Sequence, residues 1–480
     1  MTETHNNNDN ENSQTPLHQV TYLLRKYKLV EGLVNLQDTP DQSLAGSSVQ
    51  KQNLTELQHL LDQLHPADIA HILEALPLED RLLIWGMVKT DRDGEVLLET
   101  SDAVRATLIT DMHNQELVAA TEYLDADEIA DLAPDLPQQV MDDVFRSLPI
   151  EEREQLRAAM SYPEDSVGAL MDFDVITIRE DVRMEVVLRY LRRLEEMPDH
   201  TDQLFVVDRN EQLKGVLLIN RLLVSDPDTL VAEVMTKEMI KLHPDDVAQQ
   251  AANAFERYDL VSASVVDDTD KLLGRVTVNT VIDFIRAKAE NEALNLAGLS
   301  EEEDLFAPVL KSVKNRWVWL AINLVTAFIA SRVIGVFEDS IEKLVALAAL
   351  MPIIAGIGGN SGNQTITMIV RALALDQINT SSAWKLITKE VGVSIVNGLL
   401  WGTIVGLFTF AIYQNAELGL VMTLALVLNL LLAALLGVLI PLTLRKFGRD
   451  PAIGSSVMIT AVTDSGGFFI FLGLATIFLL

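Results

Sequence analysis

The chain has no cysteine, so neither a disulfide framework nor a thiolate metal site is open to it. Histidine is almost as sparse, with eight in 480 residues and none beyond His243. Whatever the C-terminal half binds, it binds with oxygen. Positive charge is also short: 37 Lys and Arg stand against 69 Asp and Glu, a formal charge of −32. Nucleic-acid binding needs a basic surface to displace counterions, so no nucleic-acid partner is expected. The deficit is uneven. From Asn315 onward there are 9 basic against 8 acidic residues, which leaves 28 against 61 in residues 1–314. A chain of this length has room for two to four domains, and the change in charge marks one boundary.

Beyond that boundary the sequence turns apolar. Spanning a bilayer core takes roughly 20 apolar residues, and five such stretches follow one another near Trp317–Phe337, Leu344–Leu373, Leu386–Tyr413, Leu418–Leu444 and Pro451–Leu480. Basic residues in short connections face the cytoplasm. They gather before the first stretch (Lys311, Lys314, Arg316), around the second connection (Arg371, Lys385, Lys389) and in the fourth (Arg445, Lys446, Arg449), whereas "EDSIEK" and "QNAE" contribute only Lys343. This predicts a multi-pass protein of the cytoplasmic membrane, with the acidic front part and the N terminus cytoplasmic and Leu480 outside. Residues 1–51, with "HNNNDNENSQ", read as a disordered polar extension without a cleavable signal.

Two internal repeats organise the front part. "LHPADIAHILEALP" (Leu64–Pro77) recurs as "LDADEIADLAPDLP" (Leu124–Pro137), with apolar residues at helical spacing. This predicts an all-α, superhelix-like domain over 52–160, which on pattern alone reads as a scaffold. Further on, "VGALMDFDVITIREDV" (Val167–Val182) is echoed by "VAEVMTKEMIKLHPDDV" (Val231–Val247), and "LFVVDRNEQLKGVLLINRLL" (Leu204–Leu223) by "ASVVDDTDKLLGRVTVNTVI" (Ala263–Ile282). Each half reads β, α, β, turn, β, α. It resembles a tandem pair of CBS domains, at 161–225 and 226–284, which act as regulatory modules. In the Gly-x-x-Thr-x-x-Asp pattern that many of them use for adenine nucleotides, this chain has Gly215, Leu218, Arg221 and Gly274, Thr277, Thr280. Both acids are missing, which weighs against nucleotide binding. Residues 285–314 then read as a connecting helix, either merely solvated or a rod that transmits the state of the CBS pair.

Polar residues interrupt two of the apolar stretches. In "MPIIAGIGGNSGNQTITMIVRAL" (Met351–Leu373), Asn360, Asn363 or Gln364, Thr367 and Arg371 recur at helical intervals and share a face. Gly356, Gly358, Gly359 and Gly362 suit close helix packing, but they do not explain three amides, each costing several kcal/mol if unpaired in hydrocarbon. In the last stretch Ser456, Thr460, Thr463 and Asp464 fall on one face. A carboxylate near the bilayer centre costs roughly 2.5–3.5 kcal/mol by insertion scales. Asp464 is expected either to pair with Arg332 or to mark an ion path. Amide, hydroxyl and carboxylate oxygen without His or Cys suit a hard, oxygen-preferring cation better than zinc or copper.

The order of parts, with "GGNSGNQ", "RDPA" and Asp464 before "SGGF", resembles the MgtE family of magnesium channels over nearly the whole chain. The resemblance implies no enzyme but a homodimer transporting divalent cations. Its architecture would be an all-α cytoplasmic N domain, tandem α/β CBS domains, a connecting plug helix over 285–314 and an all-α membrane domain of five transmembrane helices at 315–480. It implies that Asp464 binds the transported Mg²⁺, with Asn360, Asn363, Gln364, Thr367, Ser456, Thr460 and Thr463 lining the pore. It also implies regulatory Mg²⁺ at cytoplasmic carboxylates, matched here by Asp259, Asp283, Glu290 and Glu292. Arg286, Lys288, Asn279 and Thr280 depart from the acids expected nearby, which predicts weaker or rewired inhibition by Mg²⁺. A Na⁺- or H⁺-coupled divalent-cation carrier is the alternative. A nucleotide-regulated anion channel would present cationic sites rather than a central acid. An aspartyl protease would need a second membrane aspartate beside Asp464.

Overall fold

In the computed structural model, the described residues are 15–35, 40–194, 196–299, 304–374, 377–378 and 383–480. The chain divides into two units: 1–287 with 304–306, and 288–303 with 307–480.

The first unit opens with ten α-helices among the described residues, from α1 (Pro16–Asn35) and α2 (Pro40–Leu61) through α3 (Pro66–Glu74), α4 (Leu78–Trp85), α5 (Asp93–Glu99), α6 (Asp102–Asp111), α7 (Asn114–Ala120), α8 (Ala126–Leu132) and α9 (Gln138–Ser147) to α10 (Ile150–Ala159). Local chemistry sets the breaks. Proline stands just before α4, α9 and α10, where its fixed φ suits a helix start and its missing N–H costs nothing. Capping boxes His113/Glu116 and Asp125/Glu128 start α7 and α8. Apolar residues at helical spacing then converge on one core that includes Ile72, Leu97, Leu108, Ile129 and Val140.

The N-terminal extension departs from the expectation of disorder. Val20, Leu23 and Leu24 of α1 are buried in that core, because "VTYLL" supplies an apolar helical stripe that outweighs the polar run before it. Residues 1–14 and 36–39 of the expected extension lie outside the described residues.

Two three-stranded sheets follow. The first holds β1 (Thr177–Arg179), β2 (Gln203–Val207) and β3 (Leu213–Leu218), with α11 (Met184–Leu191) and α12 (Ile219–Val224). After α13 (Val231–Val234), the second holds β4 (Lys241–Leu242), β5 (Ser262–Val266) and β6 (Leu272–Thr277), with α14 (Ala248–Tyr258). Both pair parallel then antiparallel, with a register shift at equivalent places, Val206/Val207 and Val265/Val266. The hairpins match as well: Asp208 Oδ1 accepts from the Asn210 and Gln212 amides, and Asp267 Oδ1 from those of Thr269 and Lys271. Each repeat also lends its leading segment to the other. Val167 and Met171 pack in the core of the second half, while Val231 and Met235 pack in that of the first.

The helix α15 (Val278–Ala297) leads away from β6, and α16 (Val309–Val336), α17 (Glu338–Lys343), α18 (Ala346–Ala374), α19 (Ala383–Tyr413), α20 (Ala416–Lys446) and α21 (Ser455–Leu479) complete the chain. By length and composition α16, α20, α21 and the Trp384–Tyr413 part of α19 could cross a membrane. The expected fifth span, α18, is 29 residues long but is not among these four, because its apolar run is diluted by Pro352, four glycines and the amides. Helix α20 is central. Gly398, Gly402 and Gly406 of α19 recur every four residues against Val427, Thr423 and Gly419 of α20, and a Cβ on any of them would come within 3.0 Å of the neighbour. Small residues at that spacing let two backbones touch, and Thr423 Oγ1 donates to the Gly402 carbonyl at 2.9 Å.

Candidate functional site

Helices α18 and α21 meet along a seam that glycine makes possible. A Cβ on Gly362 would lie 2.4 Å from Ile459, and one on Gly359 3.8 Å from Thr463 Oγ1. The residues beside these contacts in sequence are the polar ones. Asn360, Gln364, Thr367 and Thr460 are exposed, and Asn363, Ser456 and Asp464 half-buried. The opposite face of α18, with Gly358, Thr365, Ile366 and Ile369, is buried. Helical periodicity therefore produces a polar stripe on the open side of the bundle.

Individual side chains differ from expectation. Thr463 is fully buried, and its hydroxyl donates to the Ile459 carbonyl at 2.8 Å in its own helix; it faces Gly359 rather than an open surface. Thr460 and Thr367 likewise donate to Ser456 and Asn363 carbonyls. Asn363 Oδ1 is buried, with no hydrogen-bond partner among the described residues. Among the described residues no ion pair joins Asp464 to Arg332, and Arg332 is exposed. One acid escaped the sequence reading. Glu390 of α19 is 6% exposed, and its Oε2 accepts from Thr365 Oγ1 at 3.4 Å. Its signal was an acid opening an apolar run, in "ITKEVGV".

The carboxylates expected to hold regulatory Mg²⁺ are dispersed. Among the described residues no group of three or more His, Asp or Glu stands close enough to hold a metal ion alone. Asp259 ends α14 in the left-handed region, at φ 50°. Partial burial pushes the Asp283 carboxyl up, opposed by the Arg286 charge. Glu292 is raised by burial and then by Asp450, while Lys288 opposes the shift. Glu290 lies seven residues after Asp283 on the same helix.

The structure adds an acidic seam between the helical domain and the CBS-like pair. Burial, and next the facing charge of Asp172, push Asp127 up to about 8. Asp125 is raised by burial and then by Asp174, Asp172, Glu152 and Asp199. Asp174 is raised by burial and Asp172, against Arg275, whose Nε holds Asp172 at 2.7 Å. In sequence the signal was "LDADE" where the sister repeat has "LHPAD", and "DFD" at the head of the first CBS-like half. Deeper in the helical domain, burial followed by Glu116 and Asp91 pushes Asp93 up to about 7. The halves of the CBS-like pair form an open cleft of about 750 Å³ lined by Gln203, Thr236, Tyr258 and Ser262. Arg221 Nη1 donates to the Val234 carbonyl at 3.2 Å, and Thr280 pairs with Thr277 at 3.0 Å.

Comparison with known proteins matches these parts in order. Residues 64–165 match the MgtE intracellular N domain, 167–225 and 231–287 the CBS domain, and 351–474 the MgtE divalent cation transporter family. The chain is 30% identical over 444 residues to "Magnesium transporter MgtE" of Thermus thermophilus, covering 90% of this chain and 97% of that protein. It belongs to the MgtE family. The Bacillus subtilis "Magnesium transporter MgtE" is 26% identical over 426 residues, covering 89% of this MgtE chain and 94% of its own. Among solved structures, the cytosolic domain of the Mg²⁺ channel MgtE in complex with ATP is similar, with 29% identity, a TM-score of 0.45, 50% of this chain and 97% of that chain covered. The family is one of transporters and not of enzymes.

Proposed function

We propose that this MgtE family member carries Mg²⁺ across the cytoplasmic membrane through a path formed where two copies meet. The observation that carries the reading is the open polar stripe. Asn360, Gln364, Thr367 and Thr460 are exposed on helices whose neighbours on the same surface, such as Met368 and Met458, are apolar. Unpaired amides facing lipid are costly. A second copy presenting the same stripe turns that cost into a wet conduit, with one Asp464 from each side. Two carboxylates offset a doubly charged ion while hydroxyl and amide oxygens hold its water shell, which Mg²⁺ gives up reluctantly. On this reading α18 is a fifth span despite its polarity, the N terminus is cytoplasmic and α21 ends outside. Replacing Asp464 by Asn keeps size and removes charge. Uptake of Mg²⁺ in cells lacking other importers should then fall at least tenfold at normal levels of folded protein. Unchanged uptake overturns the assignment.

Regulation by cytoplasmic Mg²⁺ fits the acidic seam. Acids that raise one another's proton affinity repel when ionised, and a hydrated divalent cation between Asp125, Asp127 and Asp172, Asp174 relieves that repulsion. Expected sites at Asp259, Asp283, Glu290 and Glu292 would act with it, weakened by Arg286 beside Asp283 and Lys288 beside Glu292. The link toward the membrane helices runs through Trp319, which lies against both Gly298, past the end of α15, and Gly454, which starts α21. With Arg221 and Thr280 where a ribose-holding acid would stand, this reading takes Mg²⁺ as the effector of the seam.

A further inference from the structure

Asn429 stands in the middle of the apolar run "LVLNLLL" of α20 and is 0% exposed. Its Nδ2 donates to the Ile354 carbonyl of α18 at 2.9 Å, while its Oδ1 has no hydrogen-bond partner among the described residues. The amide is wedged between two glycines on different helices. A Cβ on Gly358 of α18 would lie 2.2 Å from Nδ2, and one on Gly467 of α21 2.8 Å from it. Gly358 is two residues before Asn360, and Gly467 is three after Asp464. One side chain therefore touches both helices of the candidate path within a turn of its principal groups.

Packing alone does not account for this residue. An apolar side chain of similar size would fill the same gap without leaving a buried amide oxygen unpaired, which is costly away from water. What the amide adds is a donor to one particular carbonyl. That carbonyl lies where α18 is weakest as a helix, between Pro352 and the glycines at 356, 358 and 359. Proline removes a helical hydrogen bond, and glycine loosens the backbone. The segment needs an outside hold to keep a fixed position against α21.

We propose that Asn429 is a positioning residue for cation selection. It fixes the axial position of the Gly356–Gln364 segment against α21, and so the spacing between the Asn360 and Gln364 oxygens and the Asp464 carboxylate. This rests on the assignment of those groups to the cation path. Mg²⁺ is small and demands near-ideal geometry, whereas larger divalent cations accept varied oxygen shells, so a loosened segment should cost discrimination before it costs conduction.

The test is flux through the purified full-length protein in liposomes, with Mg²⁺ and Mn²⁺ measured separately and normalised to folded protein. Asn429→Ala should change the Mg²⁺-to-Mn²⁺ flux ratio at least fivefold and shift the half-saturating Mg²⁺ concentration, with the maximal Mg²⁺ rate retained within about threefold. Asn429→Ser, which keeps a small donor, should lie between it and the parent, and is read by the same criteria if the alanine variant folds poorly. An unchanged ratio and half-saturation in folded protein of either variant overturns the proposal and leaves Asn429 a packing residue. Asp464→Asn run in parallel separates the two failures. If it retains full Mg²⁺ flux, the path assignment has failed; if it loses flux while Asn429→Ala is unaltered, only the positioning role has.

Discussion

Replacing Arg81 by Met tests how the segment that enters the first membrane helix is held. Arg81 is 0% exposed. Its guanidinium is bidentate with Asp304, Nη1 to Oδ2 at 2.7 Å and Nη2 to Oδ1 at 3.1 Å. Its Nε and Nη2 also donate to the Leu73 and Leu76 carbonyls at 2.8 and 3.2 Å, which closes the end of α3. Asp304 in turn accepts from the Phe306 amide at 2.9 Å, three residues before α16 begins. Methionine fills much of the volume but leaves Asp304, with 7% of its side chain exposed, without its principal cation. Breaking a buried pair from one side costs about 3–5 kcal/mol, mostly as the uncompensated charge. At about 2–4 °C per kcal/mol for a unit of this size, the unfolding midpoint of the full-length protein in detergent should drop by roughly 6–20 °C. Asp304→Asn keeps an acceptor for the guanidinium and should lose less. Hydrogen exchange should show faster exchange at Phe306 in both variants. A midpoint within about 2 °C of the parent, with Phe306 exchange unaltered, would refute the argument that this pair anchors the segment.

Raised carboxyl pKa values make the first unit sensitive to pH in a defined sense. Asp127 at about 8 and Asp93 at about 7 hold protons in the folded state that the unfolded chain, near 3.8, has released. Stability is therefore fully present at acid pH and is lost as pH rises toward 8. Without Mg²⁺ the unit should melt at lower temperature at pH 8.5 than at pH 6; if Mg²⁺ replaces the protons in the seam, millimolar Mg²⁺ should narrow that gap, and Asp127→Asn should narrow it without metal. An equal gap with and without Mg²⁺ in thermal scans would remove the seam as a sensor. In the membrane unit, Gly406→Val should separate α19 from α20, because even a Cβ there lies 2.1 Å from Thr423 Oγ1 and 2.7 Å from the Gly419 carbonyl. Yield of folded protein by gel filtration should collapse, whereas Gly335→Val, with nothing within 4 Å, should be tolerated.

Much of this protein is written in local pattern. Helical spacing with Pro, Asp and His starts gives the N domain, sister motifs give the paired sheets with matching hairpins, and long apolar runs give the membrane helices; each signal lies within a window of 10 to 30 residues. The same periodicity placed Asn360, Gln364 and Thr367 on one face of α18. Tertiary structure decided which of two similar residues faces what. Thr460 and Thr463 share a helical face by spacing, yet one is exposed and the other buried against Gly359. The α1 segment looked like a polar tail until Val20, Leu23 and Leu24 had a core to enter. The acidic seam joins Asp125 and Asp127 to Asp172 and Asp174, and Asn429 finds Ile354 across 75 residues. Such pairings depend on how helices and sheets pack, and the energy that selects them is spread over many contacts distant in sequence, so no short window of residues carries it.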